Sequence, residues 1–465
     1  MALTQRIADY AASADWDTLP RSVRERAKRL LLDYLGNAVR GASLSDSSPV
    51  FRKTLTALGI HNGGDLRVAG SAEGHGPAAA AMLAGIYAHS LDFDDTHGES
   101  SLHPSAPVIS AALAAAQMTG ADGKATLAAI VAGFEVCCRL GLALDPTAHY
   151  RRGYHPTATA GAFGAAVAAG KLMGLSARQQ EAALGAVLSL AAGSLQFLEN
   201  GSWNKRFQVG AAAMNGIMGA RLALDGFVGA TAAVEGKHGL LAMYTDEPHP
   251  EKAVAGLGER YETLAIGVKP YPSCRYTHAS IDLLLALREE HGLTADEVQS
   301  VEVAMHSNGV RLTGEPIAAK KNPQSIVDGQ FSMPFVGAVA LHQGRFGWDD
   351  YALLSDAEVL SVADRFSVRT DKTLDRDSKL LFSGAVIIET SRGTFKGARN
   401  LPSGEPDEFP DDPSFRAKFQ SLAAPVIGAN AARLADEVLE FEHVENVHAF
   451  LAATAPEGRG TERAA

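Results

Sequence analysis

Apolar residues recur at intervals of three and four through most of the first 265 positions, the spacing of helices that bury one face. In "SVRERAKRLLLDYLGNAV", Val23, Ala27, Leu30, Leu31, Tyr34, Leu35 and Ala38 fall on one stripe, and Pro20 stands where a helix start tolerates it. "PAAAAMLAGIYAHSLDF" and "PSAPVISAALAAAQMTG" predict two more helices, and "SARQQEAALGAVLSLAAG" opens with a capping box, Ser176 and Gln179. "TATAGAFGAAVAAGKLMG" consists almost wholly of small residues, which predicts helices packed backbone to backbone. Several of these helices are apolar nearly all round, so they belong inside a bundle rather than on its surface.

The pattern changes near residue 265. "SVEVAM" alternates at period two, and "GAVIIETSRGTFKGA" predicts two strands turning near Arg392-Gly393. Helical spacing lies between them, in "HASIDLLLALREEHG" and "SIVDGQFSMPFVGAVALHQG". Mixed strands and helices over about 268 to 400 predict a separate α+β domain. Beyond "PSGEPDEFPDDPSF" the chain is helical again, and the tail "PEGRGTERAA" is polar and expected to fray. The expected divisions are 1–266 (helical), 267–402 (α+β) and 403–465 (a helical return).

A length of 465 residues exceeds one compact core, which agrees with two domains. The net charge of -11 argues against a nucleic-acid partner but not against an anionic small molecule, because a local cluster of cations can override the global sign. The three cysteines, Cys137, Cys138 and Cys274, form no disulfide framework and no zinc spacing, so a reducing, cytoplasmic setting is expected. The run "ATLAAIVAGFEVCC" is broken by Glu135, and no membrane partner is expected. No glycine-rich phosphate loop follows a strand, which leaves nucleotide cofactors unsupported.

The chemistry concentrates in a few segments. "SLDFDDTHGESSLHPSAP" places Asp92, Asp94, Asp95, His97, Glu99 and His103 between two apolar helices. Carboxylates after a helix C-terminus oppose its dipole and call for compensating cations or ligands. "DFDDT" resembles the magnesium-binding motif of helical terpenoid synthases, but no second Asp-rich helix accompanies it, "DKTLDRD" falling in the mixed domain; no metal is expected. "RRGYHPTATAG" sets Tyr154 and His155 just before a helix start, where the dipole favours neutral imidazole; His155 is either a general base or simply the helix cap. Lys205 and Arg206 in "NGSWNKRFQVGAAAMNG" are either a surface pair or an anion clamp at a helix start. "GVKPYPSCRYTHASIDLLL" brings Lys269, Cys274, Arg275 and His278 to the expected domain junction, with Cys274 read as a small buried thiol.

Taken in order, "DFDDTHGESSLHPSAPV", "GYHPTATAGAFGAA", "NKRFQVGAAAMNG", "VEGKHGL" and "KPYPSCRYTH", with "FSMPF" and "LPSGEPDEFP", resemble the MmgE/PrpD family. The family includes 2-methylcitrate dehydratase, cis-aconitate decarboxylase and iminodisuccinate epimerase. The resemblance implies a mainly α fold: a large helical domain made by both chain ends, with a smaller α+β lid inserted. It also implies a homodimer, a pocket between the domains and no cofactor. In the decarboxylase branch, active-site groups occupy positions matching Asp92, Thr96, His103, His155, Lys205 and Lys269, with His278 near the last. The Thr96-to-His103 spacing is one residue longer here, which brings His97 forward as a second candidate for the His103 role; Tyr154, Arg206 and Arg275 complete the candidate substrate contacts.

These activities share one step, removal of a proton from carbon next to a carboxylate or imine. Histidine is the suited base, and lysines hold the carboxylates. Elimination or decarboxylation would make the enzyme a lyase on a di- or tricarboxylate. Return of the proton to the other face would make it an epimerase of an imino- or amino-dicarboxylate. A non-enzymatic helical binding protein is the third reading, and it would leave the charged segments scattered.

Overall fold

The protein was analysed as a computed structural model, in which residues 2–60, 63–199, 201–374 and 380–457 are described. The fold is mainly α. Chain contacts divide it into two compact units, 1–267 with 411–465, and 268–410. Residues 403–410 go with the second unit because their backbone is tied there: Gly404 O accepts from Val268 N at 2.8 Å, and Asp282 Oδ2 accepts from Ser403 N at 2.7 Å. The polar tail from residue 458, and residues 375–377 of "DKTLDRD", lie outside the described residues.

The first unit contains α1 (Leu3–Ser13), α2 (Arg21–Leu44), α3 (Ser48–Ala57), α4 (Pro77–Ala88), α5 (Ser105–Thr119), α6 (Gly123–Ala143), α7 (Pro146–Arg151), α8 (Pro156–Leu172), α9 (Ala177–Leu188) and α10 (Asn204–Leu224). Helix α8 is its axis. Every residue from Pro156 to Gly170 is buried, against α5, α6 and α10. Small residues make this possible. A Cβ on Gly133 of α6 would lie 2.8 Å from the Gly164 carbonyl oxygen, and one on Gly164 would lie 2.7 Å from that of Gly133. Helices α4 and α10 cross as closely, with a Cβ on Gly85 reaching 3.0 Å from Gly210 Cα. The Ser176–Gln179 capping box is present at the start of α9.

Two features depart from the simple helical pattern. First, α2 buries not one stripe but most of its circumference, including Lys28, Asp33, Asn37 and Arg40. The return helix Asp412–Ile427 packs on its polar side, where Lys418 Nζ lies 2.6 Å from Asp33 Oδ1. Second, residues 1–267 include a small antiparallel ladder, β1 (Thr96–His97) with β2 (Ile266–Gly267). Two-residue strands leave no periodicity to read.

Helix α6 is apolar and long enough to cross a membrane by composition, yet 94% of its most apolar window is buried inside the protein. Its two buried charges serve the fold. Glu135 accepts from the backbone N–H of Glu262 (2.9 Å) and Thr263 (2.8 Å), and Arg139 donates to Glu262 Oε1 at 2.7 Å. Burial would raise the Glu262 carboxyl, but His97, Arg139 and Arg260 hold it down to about 2.

The second unit has a four-stranded sheet in the order β4 (Phe366–Thr370), β3 (Val298–Met305), β5 (Gly384–Thr390), β6 (Gly393–Arg399). Strand β3 runs parallel to β4 and antiparallel to β5, and β5 and β6 form a hairpin closed through Thr390 and Gly393. Val301, Val303, Val386 and Ile388 pack with Ile281, Leu284, Phe335 and Val339 from the helices His278–His291 and Met333–Gln343. The helical run over 325–344 is two helices: Ser332 stops the first and its hydroxyl caps Phe335 N at 3.0 Å.

Arg139→Met should destabilise the protein by about 3–5 kcal/mol, because it leaves two carboxylates buried without their guanidinium. The urea midpoint measures this; a midpoint equal to wild type would show the network contributes nothing.

Candidate active site

Helix α4 ends at Ala88 with His89 as its cap, and the chain then turns through the acidic segment before β1. Asp92 adopts φ 52°, in the left-handed region that side chains other than Gly rarely enter. The turn sends successive carboxylates to different partners. Asp92 pairs with Lys205 Nζ, from the first turn of α10. Asp94 Oδ2 lies 2.6 Å from His89 Nδ1 and 3.8 Å from His103 Nδ1. Asp95 accepts from Ser105 N (3.2 Å) and Ser105 Oγ (2.7 Å) at the start of α5. The Phe93 carbonyl between them accepts from Lys418 Nζ at 2.7 Å and Asn37 Nδ2 at 3.3 Å. The dipole cost of placing acids after a helix is thus met by cations and donors from α2, α5, α10 and the return helix.

Three imidazoles meet beside these carboxylates. The His89 ring centroid lies 5.0 Å from that of His103 and 6.2 Å from that of His155. His103 Nδ1 lies 2.6 Å from the Asp95 carbonyl oxygen, which can only accept, so that nitrogen carries the proton. His103 is further held by its backbone N–H on Thr157 Oγ1 at 3.1 Å. His155 caps α8, its Nδ1 lies 3.1 Å from Gln208 Oε1, and Phe197 packs edge-on at 5.3 Å. Two atoms of the cluster, His89 Nε2 and Asp94 Oδ1, are buried and have no protein hydrogen-bond partner, and neither has Thr96 Oγ1.

The electrostatics divide the cluster into fixed charges and neutral rings. Burial would raise the Asp94 carboxyl, but His89, His103 and Lys205 outweigh it and hold it well below the usual carboxylate range. Burial would lower Lys205, but Asp92 and Asp94 keep it charged and above its ordinary value. Burial and the Asp94 charge push Asp95 well above the ordinary range. His155 is pushed well below 6.5 by burial, and by His89, Lys205 and His103. His89 is also lowered, burial prevailing over the pull of Asp94. At neutral pH the site therefore holds an ionised carboxylate, a charged lysine and a neutral His155.

His89, Asp94 and His103 have potential ligand atoms within 4.8 Å of one another. Protons already account for the short contacts. The His103 Nδ1 that faces this group carries hydrogen and offers no lone pair to an ion, and the 2.6 Å His89–Asp94 contact is a hydrogen-bond distance.

Of the residues singled out in the sequence, the first unit brings Asp92, His103, His155 and Lys205 together, through the acidic turn and the three-histidine group. Thr96 follows the turn in β1. His97 points elsewhere: its Nδ1 lies 2.7 Å from Ser100 Oγ within its own turn, and its Nε2 lies 3.3 Å from Glu262 Oε2, which joins it to the α6 network. Arg206 donates to Ser45 Oγ (2.8 Å) and Ser47 Oγ (3.1 Å) beside α3. Tyr154 packs on His149 and Tyr244 with ring centroids at 5.3 and 4.8 Å. In the second unit Lys269 is buried, while Arg275 donates to Glu405, to backbone oxygens and to His278 Nδ1 at 3.0 Å; His278 Nε2 donates to Ser273 O at 3.2 Å. His89 and Gln208 were not singled out in the sequence, their only signal being position, one a helix cap and the other a polar residue on a small-residue helix; Asp94 was named there as one of four acids in its segment.

Residues 5–253 match the MmgE/PrpD N-terminal domain, and residues 271–442 match the MmgE/PrpD C-terminal domain. The chain belongs to the MmgE/PrpD family. Within this family it is 28% identical to the cis-aconitate decarboxylase of Aspergillus terreus, over 97% of this chain and 95% of that protein. It is also 28% identical to the cis-aconitate decarboxylase-like protein oryM of Aspergillus oryzae, over 97% and 96%. The human cis-aconitate decarboxylase is 27% identical over 57% of this chain and 56% of its own.

Folded His155 and His89 bind protons less readily than in the unfolded chain, so the unfolded state carries more protons below about pH 6.5 and stability rises with pH there. Thermal unfolding from pH 8 to 5 should show a falling midpoint as pH drops below about 6.5, with a shallower fall in His155→Gln. A slope unchanged by that substitution would mean His155 does not contribute.

Proposed function

We propose that this protein is a cofactor-independent lyase that moves a proton at carbon next to a carboxylate of a small di- or tricarboxylate, with cis-aconitate as the first substrate to test. The observation that carries the reading is a neutral His155, its Nε2 without a hydrogen bond among the described residues, beside a lysine held charged. Full-length similarity to proteins named cis-aconitate decarboxylase supports the substrate class.

In this reading His155 Nε2 exchanges the proton with carbon, and Lys205 attracts a substrate carboxylate while Asp92 holds its ammonium in place. An arriving polyanion raises the His155 pKa, so the ring that accepts a proton can also return one. In a decarboxylation the bond to the departing carboxylate breaks, its electron pair shifts into the neighbouring double bond, and a proton adds to the far carbon. In a dehydration the base takes the proton and hydroxide leaves from the next carbon, taking up a proton as water. Lys269, buried in the second unit, is kept as a candidate carboxylate contact. We also propose a homodimer in the cytoplasm. Trp203, Phe207, Met218 and Leu222 expose large apolar groups along α10, and Val228 follows at 90% exposure, a surface that a second copy would cover.

Proton NMR in deuterated water with citrate, 2-methylcitrate, cis-aconitate and iminodisuccinate separates the outcomes: carbon dioxide or water lost for a lyase, inversion without loss for an epimerase, no exchange with any for a binding protein. On the active substrate His155→Ala should lower kcat by roughly 10²–10⁴, whereas Lys205→Ala should mainly raise KM. Full kcat in folded His155→Ala would remove that ring from the chemistry. EDTA should leave turnover unchanged, and loss restored by a divalent ion would overturn the cofactor-independent reading. Light scattering should give twice the chain mass, and Phe207→Glu with Met218→Glu should halve it.

A further inference from the structure

We infer that Gln208 is a positioning residue that fixes which nitrogen of His155 carries its proton. The inference rests on the reading of His155 as the proton-transfer group and adds the element that makes it one. Two hydrogen bonds determine the direction of the Gln208 amide. Gln208 Nε2 donates to the Ser194 carbonyl at 2.9 Å, and Gln208 Oε1 accepts from Ser194 N at 3.1 Å. A flipped amide would set donor against donor and acceptor against acceptor, so the oxygen faces His155. An amide oxygen cannot donate; the nitrogen 3.1 Å from it, His155 Nδ1, must therefore carry the hydrogen. In a neutral imidazole that leaves the lone pair on Nε2.

The frame behind this contact is rigid. Ser194 belongs to a loop laced to the His155 backbone from both sides: His155 N donates to Gly193 O at 3.2 Å, and Leu195 N donates to Gly153 O at 2.8 Å. Residue 193 has to be glycine, because an added Cβ would lie 2.8 Å from Ala158 Cβ, 3.1 Å from Gln208 Oε1 and 3.2 Å from His155 Cβ. Gln208 also stands one turn after Lys205 on α10, so the same helix delivers the charged lysine and the acceptor. A neutral amide selects the tautomer while stabilising the imidazolium less than a carboxylate would, its upward pull on the His155 pKa being outweighed by burial and the neighbouring charges. The ring stays a weak base with its proton-accepting atom already oriented. A cavity of about 90 Å³ lined by Ala158, Gly193, Gln208 and Asn215 adjoins the amide and leaves room for replacement side chains.

The test uses the full-length protein labelled with ¹⁵N-histidine, with His155 assigned by its absence in His155→Ala. In the wild type at pH 7.5 the Nδ1 shift should be that of a protonated nitrogen and the Nε2 shift that of a bare one. Gln208→Met should move the ring toward the opposite tautomer and lower kcat on cis-aconitate, or on whichever of the four acids turns over, by roughly tenfold to a hundredfold, below the full contribution of an acid–base group, with KM little changed. Gln208→Glu should restore the Nδ1–H tautomer but raise the His155 pKa, moving the acid limb of the kcat/KM profile to higher pH. Unchanged ¹⁵N shifts in both variants would overturn the inference. Shifts that change as stated, with His155→Ala still fully active, would leave the tautomer assignment standing and sink the role of His155 instead. Should Gln208→Met fail to fold, the pH displacement in Gln208→Glu decides the matter alone.

Discussion

Asp94 carries a full charge in a place where water cannot reach it, and the first unit is organised around keeping that charge satisfied. An isolated carboxylate at this depth would take up a proton. Here the Nδ1–H groups of two histidines lie beside it and a lysine adds its field, so the charge stays. Each of those groups needs its own support. Lys205 requires the close crossing of α4 and α10, which their glycines permit. His103 requires the Asp95 carbonyl and Thr157. The small-residue packing of α8 is thus the condition under which a buried charge cluster can be assembled from five separate segments.

The same arrangement separates two kinds of polar burial. Glu135, Arg139 and His97 bond to Glu262, and Glu135 and Arg139 also to the backbone at Arg260, Glu262 and Thr263, so that this stretch is fastened onto α6, with Arg139 Nε the one atom of the network left unpartnered among the described residues. The group around Asp94 is left incomplete: His89 Nε2, Asp94 Oδ1 and Thr96 Oγ1 are buried polar atoms with nothing to bond.

Much of this was legible in the sequence. The helical spacing, the strands β3, β5 and β6 and the Ser176 capping box follow from local pattern, and so does the neutral His155 from its place ahead of a helix. The two-residue ladder of β1 and β2 was not, because no periodicity exists at that length. His97 and His103 looked interchangeable along the chain; they differ because one side chain turns toward Glu262 and the other toward Asp94, a choice made by residues 165 positions away in one case and nine in the other. Gln208 and His89 escaped because their significance lies in which atom they present, and spacing does not encode that.

The bond from Lys418 to the Phe93 carbonyl spans 325 positions of chain. During synthesis the acidic turn leaves the ribosome long before its lysine exists. At about 5–20 residues per second the delay is roughly 15–65 s. Over that interval Asp33 has no ammonium partner and the turn lacks one of its fixed donors. The second unit, whose residues 268–410 are contiguous, can complete its own sheet meanwhile. Lys418 is therefore the last of the centre's groups to be made, although most of the others are among the first residues of the chain.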